Sequence, residues 1–167
     1  TRRTPPSSIG RKPSPFWMIA VPWLSVVLFS MSPLLPIIAS APVLPPLGFL
    51  MLLGWRILRP GLFPVWAGLP LGFVDDLYSG QPLGSAIMLW SVMMLAMEVI
   101  DSRFLWRGFL QDWLCATGMI ASYLLVSSAV SGAPDGALPS LLLLPQMILS
   151  ILLFPLLTRF VAWLDRL

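Results

Sequence analysis

From Pro13 to Trp55 this chain carries no charged side chain. Such a run exceeds the roughly 20 apolar residues that one membrane-spanning helix requires. The stretch after Lys12 is far longer than the roughly 7–15 residues of a secretory signal core, and no small-residue cleavage site stands out, so a spanning segment is expected there, not a cleaved leader. The whole chain of 167 residues is 57% hydrophobic and 10% charged, where a soluble domain carries about 25% charged residues. These features point to an integral membrane protein with little extramembrane mass and a single domain.

The chemistry available is narrow. The one cysteine, Cys115, excludes an internal disulfide and a cysteine-based metal cluster, and there is no histidine to serve as ligand or general base. No phosphate-binding loop, zinc signature or nucleophile elbow occurs. The expectation is a non-enzyme with no metal and no cofactor. The pI of 9.8 does not indicate nucleic acid, because the cations are scattered at segment ends and form no basic stripe.

Residues 1–15 are polar, basic and rich in Pro and Ser, as in a disordered cytoplasmic tail. Residues 16–167 form one transmembrane helical domain. Six apolar segments are expected at 16–38, 45–59, 62–78, 83–100, 109–131 and 138–163. Pro33, Pro36, Pro42, Pro45 and Pro46 divide the first two. Arg59-Pro60-Gly61, Ser79-Gly80-Gln81-Pro82 and the 131–136 stretch make later turns. Segments two and three are short for a bilayer of about 30 Å. A five-helix topology, with segment two lying partly in the interface, is the competing arrangement.

In the six-helix arrangement all ten Lys and Arg residues fall on one side. Arg2, Arg3, Arg11 and Lys12 precede segment one, Arg56 and Arg59 follow segment two, and Arg103 and Arg107 follow segment four. Arg159 and Arg166 close segment six. The positive-inside rule puts that side, and both termini, in the cytoplasm. Trp17, Trp55, Trp106, Trp113 and Trp163 lie beside these cations, as an interfacial aromatic belt would. Asp135 and the run Gly72-Phe-Val-Asp-Asp-Leu-Tyr-Ser-Gly-Gln-Pro-Leu-Gly84 then lie at the outer face.

That run carries the most information about function. An Asp at a helix centre in a membrane costs about 2.5–3.5 kcal/mol on insertion scales, so Asp75 and Asp76 need a reason. Gly68, Gly72 and either Asp75 or Asp76 share one helical face. Gly68-Leu-Pro-Leu-Gly72 is a small-xxx-small pattern that admits a close helix neighbour, and Pro70 is expected to kink the helix. Asp76 is read as an inward lock of the hairpin between segments three and four, and Asp75 as solvated. At the cytoplasmic side Glu98 lies within reach of Arg103 or of Arg56 and Arg59, as an interfacial ion pair. Met88, Met93, Met94 and Met97 make a soft cluster. Gln111, Cys115, Gly118 and Ser122 on segment five, with Gln146 and Ser150 on segment six, are read as the inner wall of the bundle.

The stretch Trp55-Arg-Ile-Leu-Arg-Pro60, followed by the Gly72–Gly84 run, resembles the bacterial rod shape-determining MreD family. On its hairpin pattern Gly72, Asp76, Leu77, Ser79, Gly80, Pro82 and Gly84 are the matching positions, and Asp75 lies outside it. The resemblance implies a non-enzymatic inner-membrane component of the elongation complex that directs lateral peptidoglycan synthesis. It also implies MreC as direct partner, with RodA, a class B penicillin-binding protein and MreB reached through the complex, all within membrane lipid. It further implies a compact all-α bundle similar to the S components of energy-coupling-factor transporters. A small-molecule-binding transporter subunit is the alternative function. The residues proposed as hairpin lock or partner contact are Gly68, Gly72, Asp76, Ser79, Gly80, Pro82 and Gly84. The charged positions of interest at the cytoplasmic side are Arg56, Arg59, Glu98, Arg103 and Arg107.

Overall fold

A computed structural model describes residues 15–34, 44–103, 108–130 and 139–166. The tail up to residue 14, Arg107 with Trp106, and the 131–136 turn with Asp135 lie outside the described residues. Those described are helical throughout their regular structure: α1 Pro15–Ser30, α2 Leu47–Leu58, α3 Gly68–Ser79, α4 Ser85–Arg103, α5 Phe109–Val130 and α6 Pro139–Leu164, with 3₁₀ turns at Ser32–Leu34 and Val65–Ala67. Among the described residues, four stretches are long and apolar enough to cross a membrane: Phe16–Leu34, Ser85–Arg103, Phe109–Val130 and Leu143–Leu164.

The two short helices are the organising ones. α2 is apolar all round up to Trp55, and every residue from Gly48 to Arg56 is buried. A helix that is hydrophobic all round belongs in a core, and α2 packs against α1, α6 and α5. It is a central helix and does not lie along a surface, as the five-helix topology would require. Two glycines allow the close approach. A Cβ at Gly48 would sit 2.1 Å from the Ser30 Oγ of α1, and one at Gly54 would sit 3.3 Å from Val161 of α6. The helix follows Pro45-Pro46 and stops at Arg59, whose backbone (φ −130°, ψ 85°) lies outside the α region that a following proline disfavours. Trp55 is fully buried and donates its Nε1–H to Ser25 Oγ at 2.8 Å. It is therefore a core residue and not part of an interfacial belt, whereas Trp17 and Trp163 are exposed.

α3 begins only at Gly68, after the 3₁₀ turn, so Pro70 stands in the first helical turn. There its missing N–H has no intrahelical acceptor to lose. The expected kink at Pro70 does not arise for that reason. α3 packs most extensively on α4.

On α5 the buried side is Ala116, Met119, Ile120, Tyr123, Leu124 and Ser127. Gln111, Gly118 and Ser122 are exposed and Cys115 is half-buried, so this stripe is not the inner wall. Its polar groups are satisfied locally. Ser122 Oγ donates to the Gly118 carbonyl at 2.8 Å, and Gln111 Oε1 accepts from Gly108 N–H at 3.2 Å. A hydroxyl bonded within its own helix can face an apolar medium. Ser150 and Gln146 on α6 do turn inward: Ser150 is fully buried, and Gln146 Nε2 donates to the Leu44 carbonyl at 2.6 Å. Met93, Met94 and Met97 enter the core while Met88 faces out, so the methionine cluster is split between two faces of α4.

Candidate functional site

The hairpin between α3 and α4 is built around one carboxylate. Gly68, Gly72 and Asp76 recur every four residues and form one face of α3. At the two glycines that face touches bare backbone. A Cβ at Gly68 would lie 2.8 Å from the Ser91 nitrogen, and one at Gly72 would lie 2.7 Å from the Ala86 carbonyl oxygen. Both glycines are already occupied by α4, so their face is not free for an outside helix.

One turn further on, Asp76 is buried and meets the start of α4. Its Oδ2 accepts from the Gly84 N–H at 2.8 Å and the Ile87 N–H at 3.3 Å. Its Oδ1 accepts from the Ala86 N–H at 2.9 Å and the Ser85 hydroxyl at 3.2 Å. The Ser85 N–H goes to the Pro82 carbonyl at 3.1 Å. The first N–H groups of a helix have no partner within it, and here a side chain from a neighbouring helix supplies most of them. A negative charge at a helix N-terminus is also favoured by the helix dipole. Asp76 thus sits at the unfavourable C-terminal end of its own helix and at the favourable N-terminal end of the next.

The turn between the helices meets the geometry this requires. Gly80 caps α3 in the left-handed conformation (φ 68°), and Gly84 enters α4 with φ 98°, values that favour residues without a Cβ. Pro82 and Leu83 project from the tip, with Leu83 76% exposed. Ser79 stands half-buried at the end of α3, and Gln81 Oε1 accepts from the Ser85 hydroxyl at 3.2 Å.

Asp75 is not solvated. Adjacent helical residues point about 100° apart, so it leaves the α4 face and enters the core, where it is 7% exposed. The hydroxyls of Ser30 from α1 and Tyr123 from α5 face it. Tyr123 in turn stacks on Phe49 of α2 at 4.4 Å between ring centroids. Ser30 and Tyr123, with Trp90 beside Tyr123, are functional neighbours that the spacing of residues on α3 does not point to. Asp75 therefore turns from α3 toward α1 and α5, while Asp76 bonds α3 to α4.

The other charged cluster gathers at the far end of α4. Arg56, 2% exposed, is paired with Glu98, and its Nη2 lies 3.2 Å from Asp101 Oδ2. Arg59 Nε lies 2.8 Å from Asp165 Oδ1 at the end of α6. These pairs tie the C-terminal ends of α2, α4 and α6 together at one end of the bundle. Arg103 is exposed there and is not paired with Glu98. The stretch of α4 between Ala86 and Glu98 is about 18 Å long at 1.5 Å per residue, so the acidic hairpin and the cationic belt occupy opposite ends. Among the described residues, no three His, Cys, Asp or Glu side chains come together as a metal site.

The model of the family described as rod shape-determining protein MreD matches residues 11–166. This chain belongs to the MreD family. The match spans the hairpin, the cationic belt and all six helices, so the fold described here is that of an MreD-family membrane protein with a role in determining rod shape. Searches of curated proteins and of solved structures each found no match.

Proposed function

We propose that this MreD-family chain is a non-catalytic scaffold of the inner-membrane elongation complex. In this role it binds MreC and, through the complex, helps direct the lateral peptidoglycan synthesis carried out by RodA and a class B penicillin-binding protein in register with MreB. The cationic end faces the cytoplasm by the positive-inside rule, and both termini lie there. The α3–α4 hairpin then faces the periplasm, where a single-span partner such as MreC leaves the membrane.

The observation that carries this reading is the hairpin itself. It is locked by Asp76 from beneath, so its shape is fixed, while its tip residues Pro82 and Leu83 are exposed. A rigid, apolar, outward-pointing tip is suited to recognition, since little ordering entropy is lost on contact. The small-molecule-binding subunit would need a polar cavity at this end. The polar groups there, Asp75, Ser30 and Tyr123, face one another inside the packed core.

Co-purification with MreC tests the proposal. Leu83→Lys leaves the hairpin lock intact and is expected to lose MreC while keeping the melting temperature. Asp76→Ala and Gly72→Leu are expected to lose both. Unchanged MreC yield with a normally folded Leu83→Lys protein would remove the hairpin tip from the interface.

A further inference from the structure

Beneath the hairpin, three buried polar atoms have no hydrogen-bond partner among the described residues: Ser30 Oγ of α1, Ser79 Oγ of α3 and Trp90 Nε1 of α4. Ser30 is 2% exposed and Trp90 is wholly buried. Buried polar groups are nearly always bonded, either to protein or to ordered water. These three are not scattered. Ser30 and Tyr123 face the Asp75 carboxyl group, and Trp90 stands beside Tyr123. Ser79 lies one helical turn beyond Asp75 on the same face of α3.

Packing on α2 keeps the groups from closing onto one another. Phe49 stacks on Tyr123 at 4.4 Å and meets Trp90 at 5.9 Å between ring centroids, so one aromatic ring fixes the other two. The preceding residue, Gly48, abuts Ser30, whose Oγ would lie 2.1 Å from a Cβ placed there. Burial alone does not leave an indole unbonded in this fold. Trp55 is as buried as Trp90, yet its Nε1–H reaches Ser25 Oγ directly at 2.8 Å.

The chemistry of the group selects what completes it. An indole N–H only donates, so its missing partner must accept. The Asp75 carboxyl oxygens accept, so the same partner must also donate. Water does both, and a buried water needs two to four polar partners. A bare metal cation takes oxygen ligands and offers nothing to the Trp90 N–H. Asp75 is 7% exposed, so water reaches its edge, and the unbonded Ser79 Oγ marks the approach from the hairpin side. We infer that one ordered water is bound among Ser30, Asp75, Trp90 and Tyr123, joining α1, α3, α4 and α5. Asp75, which stands outside the hairpin pattern, is then the residue that holds this water. The site is independent of the partner assigned to the hairpin tip.

The test uses the full chain with ¹⁵N-labelled tryptophan in deuterated micelles, and reads magnetisation transfer from water to each indole proton by NMR. Trp90→Phe and Trp55→Phe assign the two buried indoles. In the wild type the Trp90 indole proton is expected to show a water contact, and the equally buried Trp55 proton to show none. Asp75→Leu replaces the acceptor by an apolar side chain and is expected to lose the Trp90 contact. The wild-type comparison stands by itself if that variant does not fold. A Trp90 proton as silent as that of Trp55 in the wild type would overturn the site. A Trp90 contact that persists in a natively folded Asp75→Leu protein would overturn the place of Asp75 in it. A melting temperature that falls when sodium is exchanged for choline, and falls no longer in Asp75→Leu, would put a cation there and overturn the water.

Discussion

Asp76 and Ala86 are joined across the hairpin by a 2.9 Å hydrogen bond from the Ala86 backbone N–H to the Asp76 carboxylate. The bond makes one helix the cap of the next. Replacing a capping side chain by Ala costs about 0.5–2 kcal/mol, and leaving buried donors unsatisfied costs more. Asp76→Ala is therefore expected to lower unfolding free energy in mixed micelles by about 3 kcal/mol. Asp76→Asn, which keeps an acceptor oxygen but not the charge, is expected to lose about half of that. Equal stability of wild type and Asp76→Ala would remove the cap from the description of this fold.

The glycines of α3 and α5 give a matched contrast. A Cβ at Gly72 would lie 2.7 Å from the Ala86 carbonyl oxygen, whereas one at Gly118 meets nothing within 4 Å. Gly72→Ala should cost about 1–3 kcal/mol through forced separation of α3 and α4. Gly118→Ala should be neutral or stabilising by up to about 1 kcal/mol, from helix propensity alone. Thermal unfolding of the two proteins side by side checks this, and the order of the melting temperatures is the deciding observation.

The cationic belt is unequal in the same way. Arg56 is buried against Glu98 and Asp101, while Arg59 and its partner Asp165 are partly exposed. Removing one member of a fully buried pair costs about 3–5 kcal/mol. The Glu98 side chain is 56% exposed, so Arg56→Met is expected to cost less, about 2–3 kcal/mol. Arg59→Gln should cost at most about 1 kcal/mol. Denaturant titration of both variants measures the difference, and a larger loss for Arg59→Gln would contradict the burial order.

Much of the hairpin was legible because its pattern is local. Gly68, Gly72 and Asp76 share a face by helical spacing alone, and the turn residues between α3 and α4 follow the usual chemistry of left-handed glycines. The neighbour of Asp75 was not legible. Its direction follows from Asp76, but Ser30 and Tyr123 reach it from helices distant in sequence. Trp55 shows the same limit. Beside two arginines it resembles an interfacial residue, yet α2 is the central helix and Ser25 waits in the core to accept its N–H. The stripe on α5 misleads for a different reason. Small and polar residues do not by themselves fix which way a face turns: Ser122 satisfies its hydroxyl within the helix and so can face outward.

The proposed role in organising cell-wall synthesis is tested most directly by a pull-down of the full-length chain from native membranes, with the bound proteins identified by mass spectrometry. MreC together with RodA and a class B penicillin-binding protein is the expected set, and MreC should disappear selectively with Leu83→Lys. Recovery of an ATPase module in place of these proteins would identify the chain as a transporter subunit instead.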